Sequence, residues 1–198
     1  AGGAVAGAPA SGNWWGMART PNCPRLECAI GEQNCGYGPK LIGLQGCPSL
    51  TALQVAKRDA WNTRLKRLRG LDRDWSCWFS GFDRTAFLDL ARRTIVGTHD
   101  PAEVVLMDIN PPTQKTSPDF NATKLFFNVD AVDPRELTKR GNQLFRGNKR
   151  IRRIYNRIVF DELANVPFAM PFDYRDDLDV EWVPHPNWYW VWSKYSLP

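Results

Sequence analysis

KRIRRIYNRIVFDEL, residues 149–163, is the stretch on which the reading of the fold turns. Ile151, Ile154, Tyr155, Ile158, Val159 and Leu163 recur at spacings of three and four, the period that gathers apolar side chains on one face of a helix. Arg150, Arg152, Arg153 and Arg157 then form its polar face. This amphipathic basic helix makes the expected fold mainly α, a helical body over residues 48–165.

Upstream the same period recurs. Pro48 and Ser49 open a helix to about Arg69, with Leu53, Ala56, Ala60, Trp61, Leu65 and Leu68 as its apolar stripe and Gly70 as its stop. A second helix is expected after Ser80 or Asp83, running to Val96 with Phe87, Leu88, Ala91 and Ile95 on one face and Gly97 closing it. At Asp100-Pro101 the Asp can cap free N–H groups while Pro sits where its missing N–H has no consequence, so a short helix to about Met107 is expected. Asp133-Pro134, followed by Glu136, repeats that logic ahead of Gly141 and Gly147. The three prolines within residues 110–119 indicate a loop, and Leu125–Val129 (LFFNV) is the best strand candidate.

Both ends read differently. Residues 1–47 form an extended Gly/Pro/Cys-rich arm with almost no apolar periodicity, expected to be irregular and pinned by Trp14 and Trp15. AGGAVAGAPASG at residues 1–12 suits a processed terminus or a flexible linker. Residues 166–198 form an irregular aromatic tail containing Pro167, Pro171, Pro184 and Pro186 together with Trp182, Trp188, Trp190 and Trp192.

Composition excludes some classes. With 43% hydrophobic and 24% charged residues a core should form, and wholesale disorder is not expected. No run approaches the roughly 18 apolar residues of a membrane-spanning helix. Nine Trp, ten Phe and five Tyr favour a partner-binding surface, because Trp and Tyr combine a large apolar body with a polar handle. The net charge of +5 suits nucleic acid, anionic lipid headgroups or an acidic protein equally.

Site chemistry is thin. Cys23, Cys28, Cys35, Cys47 and Cys77 miss the paired spacing of structural zinc knuckles, and disulfides or free thiols both remain open. His99 and His185 belong to no nucleophile or metal motif. Gly36-Tyr37-Gly38 is followed by Pro39, which lacks an N–H that a phosphate loop would use, and Asn121-Ala122-Thr123 is a short glycosylation pattern of the kind that arises by chance. No catalytic residue, cofactor or metal is therefore expected, and the chain reads as no enzyme.

The most functional-looking segment is the basic block. Lys139, Arg140, Arg146, Lys149, Arg150, Arg152, Arg153 and Arg157 lie between Glu136 and Asp161 with no acidic residue among them. Either an anionic partner neutralises them, or they pair with the acidic residues downstream, Asp161 to Glu181. Trp14, Trp15, Arg150, Arg152, Arg153, Arg157, Trp182, Trp188, Trp190 and Trp192 are the expected partner-binding residues.

These features point to a non-catalytic accessory or scaffolding subunit of a large assembly, peripheral to the mitochondrial inner membrane in a respiratory-chain or ATP synthase complex. Its partners would be other protein subunits, with anionic lipid headgroups as a further contact. The alternatives are an RNA-contacting mitochondrial ribosomal protein and a small cysteine-stabilised secreted enzyme.

Overall fold

At the centre of the protein runs the strand Val104–Met107 (β3), four consecutive residues all buried. The computed structural model describes residues 25–191 apart from 34, 35, 47, 48, 74, 79, 80, 166–168 and 187. In chain order it contains the hairpin β1 (Arg25–Gln33) and β2 (Gly36–Gln45), then α1 (Thr51–Leu65), α2 (Arg84–Ile95) and β3. These are followed by α3 (Ser117–Phe127), β4 (Asp130–Val132), β5 (Leu137–Arg140), β6 (Gln143–Arg146), β7 (Lys149–Ile151) and β8 (Arg153–Asn156). The short helices α4 (Phe160–Asn165) and α5 (Trp188–Val191) flank β9 (Glu181–Val183).

Four strands form one parallel sheet in the order β4-β3-β8-β9. Its two faces are covered by different layers. Val104, Leu106 and Tyr155 turn to one side and pack with Ala91, Ile95, Phe120 and Phe127 of α2 and α3. Val105, Met107 and Ile154 turn to the other, against Leu144 and Ile151 of the antiparallel meander β5-β6-β7 and against Phe172, Leu178 and Trp182. A strand alternates its side chains between faces, so burial on both faces requires a continuous apolar run.

The fold is therefore mixed α/β, not mainly α, and the decisive stretch is where the expectation fails. Residues 149–163 are β7, β8 and the start of α4. Ile154, Tyr155, Asn156 and Arg157 are all buried because β8 lies inside the sheet, and a run buried on both faces satisfies helical spacing by accident. Met107 likewise ends a strand, not a helix: Asp100 does cap the turn Pro101–Glu103, accepting from the Ala102 N–H at 2.9 Å, but β3 begins at the next residue. Leu125–Val129 is no strand; its first three residues close α3, which Asn128 terminates at φ +58°. The arm is also corrected, since residues 25–45 form the regular hairpin β1-β2.

Other local signals hold. Asp83 accepts from the Ala86 N–H at 2.7 Å to start α2, and Gly97 ends it at φ +67°. A Cβ at Gly97 would also meet the Arg153 guanidinium at 3.1 Å. At Asp133 the full capping box with Glu136 forms. The start of α1 needs help from afar: Leu50 caps nothing with its side chain, and fully buried Asp119 of α3 accepts from the Leu50 and Leu53 N–H groups at 3.2 and 2.8 Å.

Candidate functional site

The parallel strands occur in the chain as β3, β4, β8, β9 but lie in space as β4-β3-β8-β9. The connections leaving β3 and β8 depart to opposite faces, α3 packing with Leu106 on one side, Ile158 and Leu163 with Met107 on the other. In open α/β sheets such a reversal of strand order separates the loops at the carboxyl ends and creates a crevice where ligands bind.

The four strand ends carry a row of polar residues there. Met107 is in register with Val132 of β4 and Asn156 of β8, and Tyr155 with Val183 of β9. One residue beyond on each strand, the row is Asp133, Asp108, Arg157, His185, read across β4, β3, β8 and β9. Backbone bonds carry the ladder to this level, from Asp108 N–H to the Val132 carbonyl at 3.1 Å and from Arg157 N–H to the Met107 carbonyl at 2.9 Å. Among the described residues the buried polar side chains are Asp108, Asp119, Thr123, Asp133, Asn156 and Arg157. Asp119 caps α1 and Thr123 bonds within α3, so the other four, all at strand ends, are the ones that gather in one place.

Their roles differ. Asp133 locks the turn after β4, accepting from Asn110 N–H at 2.8 Å, from Arg135 N–H at 2.9 Å and from the Arg135 guanidinium. Burial pushes its carboxyl up, but these donors hold it below the usual range. Asp108 has a lighter set of bonds, a 2.8 Å contact from the Ile109 N–H. With only 3% of its surface exposed, burial pushes its pKa up to about 6; the Glu162 and Asp133 charges add to the rise, while Ile109 and the Arg157 guanidinium oppose it. Burial also raises Glu162, again against Arg157. Arg157, 8% exposed, thus lies within electrostatic reach of two carboxyls that hold protons unusually well, and its guanidinium sits 5.9 Å from the Tyr155 ring centre. Burial lowers His185, so the neutral imidazole is favoured.

Comparison with protein-family models, curated proteins and solved structures finds no match. The site must therefore be read from its own geometry.

That geometry regroups the residues expected from the sequence. Arg157 is in the row, but the other arginines are engaged elsewhere. Arg150 pairs with Asp179, and Arg152 with Glu103 at 3.3 Å. Arg153 pairs with Glu181 and donates to the Ile95 and Thr94 carbonyls at 3.0 and 2.7 Å, capping the end of α2. Trp182 and Trp188 are buried, Trp182 against Phe172 and Tyr174. Trp14, Trp15 and Trp192 lie outside the described residues, as does the Trp190 side chain. Of the cysteines, Cys77 is an exposed free thiol.

Asp108 and His185 were missed as a pair because 77 positions separate them; the available signal was a short apolar run ending in a polar residue, VVLM-Asp108 and EWVP-His185. Among the described residues no group of three or more His, Cys, Asp or Glu is arranged to hold a metal, and no helix is long and apolar enough to cross a membrane.

Proposed function

We propose that this chain is a small-molecule-binding α/β domain whose ligand is a compact polar anion seated between the ends of β3 and β8. Arg157 meets the negative group, since a guanidinium matches the two-oxygen edge of a carboxylate or phosphate. The Asp108 carboxyl, able to hold or release a proton near neutrality, meets a hydroxyl or amino group of the same ligand. The observation that carries this reading is the row Asp133, Asp108, Arg157, His185 at the point where strand order reverses.

Thermal unfolding of the full chain with inorganic phosphate, citrate, glutamate and a nucleoside monophosphate as probes tests it. At least one probe should raise the Tm by several degrees, the shift expected when ligand concentration far exceeds Kd. Arg157→Met should abolish the shift and Asp108→Asn should weaken it. Failure of every probe, or a shift that survives both substitutions, overturns the proposal.

A second reading, docking within a larger assembly, is favoured by exposed aromatic surface on α1, taken up below. Membership of a respiratory-chain or ATP synthase complex, and the mitochondrial setting, rest on composition and charge alone. RNA contact is disfavoured, because most of the basic block that motivated it is committed to internal carboxylates.

A further inference from the structure

We propose that the groove along the outer face of α1 is a docking site for an acidic, amphipathic segment of another polypeptide. α1 buries Ala52 and Val55 at its start and turns its second half outward, leaving Trp61 64% exposed and Leu68, in the turn beyond, 52% exposed. Two adjoining cavities of about 720 and 560 Å³ share Lys57 and Trp61 in their walls and continue one another from Val55 to Leu68. The helix they follow is about 22 Å long, the span of a docked peptide and not of a single small ligand. Trp78, Phe82, Phe87 and Leu90 supply an apolar wall.

Charge selects the occupant. Lys57, Arg58, Arg64 and Arg67 line the two cavities, and no described Asp or Glu does. Arg58 is tied to Asp59 at 3.0 Å, whereas Lys57, Arg64 and Arg67 form no ion pair among the described residues. An apolar groove rimmed by uncompensated cations complements a segment that inserts apolar anchors and presents carboxylates beside them. The chain's own ends do not qualify, because residues 1–24 and 192–198 contain no Asp or Glu. A flat bilayer would leave the concave wall unfilled.

A displayed library of random peptides of about 16 residues, panned against the full chain, tests this. The counter-target is the double variant Trp61→Ala/Arg64→Glu, which alters exposed side chains only and whose fold circular dichroism verifies. Peptides enriched on the native chain should carry Leu, Phe or Trp at helical spacing with Asp or Glu between them. A representative should bind the variant at least about tenfold more weakly, as loss of an aromatic anchor and a reversed charge imply. No enrichment over the variant, or enriched peptides lacking acidic residues, overturns the proposal. So does binding of phosphatidylserine vesicles or single-stranded RNA through Trp61 and Arg64 when no acidic peptide is enriched.

Discussion

Residues 139–157 and residues 57–69 are both dense in arginine and lysine, yet the fold treats them in opposite ways. In the first stretch Lys139 pairs with Asp176, Arg146 with Asp130 and Glu136, Arg150 with Asp179, Arg152 with Glu103 and Arg153 with Glu181. In the second, Lys57, Arg64 and Arg67 reach no carboxylate among the described residues. The first is strand, laid beside segments from elsewhere in the chain that bring acids with them; the second is the projecting end of a helix with few neighbours. The local density of charge in a sequence thus says little about which charges stay available to a partner.

The largest effect that could break this contrast is at Arg153. Its side chain is 11% exposed and closes α2 through two carbonyls as well as pairing with Glu181. Arg153→Met should cost about 3 kcal/mol, measured by denaturant unfolding, because buried acceptors lose charged donors. A loss below about 1 kcal/mol would put Arg153 with the solvated cations and dissolve the distinction.

Next comes the stretch's last arginine and its neighbour. Asp108 titrates near 3.8 when unfolded and about 6 when folded, so the folded state keeps a proton that the unfolded chain releases between those values. The stability this contributes is whole below pH 4 and lost as pH rises through about 6. Asp108→Asn escapes the loss and should be more stable than the native chain by about 2 kcal/mol at pH 7.5, with the gain shrinking toward pH 4. A gain that is flat with pH would place the charge of Arg157 close enough to keep Asp108 ionised throughout.

Smaller still is Arg152, whose side chain is 45% exposed and which meets Glu103 at 3.3 Å. Arg152→Ala should change unfolding stability by less than about 1 kcal/mol, and less again at high salt. The smallest expected change is in the other stretch. Lys57→Ala, Arg64→Ala and Arg67→Ala combined should shift stability by no more than about 0.5 kcal/mol, since surface side chains without partners contribute little. A clear destabilisation by the triple substitution would reveal an internal role for these cations and remove the charge argument for the docking groove.

Much of the local architecture was legible. Asp83, Asp100 and Asp133 cap what they were expected to cap, and Gly97 closes α2, because a cap depends on three or four consecutive residues. The stripes of α1 and α2 were also legible, each helix having one buried face and one wet one. β3 and β8 were not, because a strand covered on both sides loses the alternation that would have marked it. The Asp108, Arg157 and His185 row was invisible for a further reason: it is defined by strand order and register, which join residues far apart in the chain.

By itself, then, the sequence determined where helices α1 and α2 begin and end, which aspartates cap, and that a core would form. These depend on neighbours within a few residues. Only the tertiary structure decided that residues 149–163 are mostly strand, that the basic block is largely neutralised from within, and that four strand ends share one polar row. Each of these depends on which distant segment lies alongside, and hydrophobic burial rewards an apolar run equally well whether it is wound as a helix or extended inside a sheet.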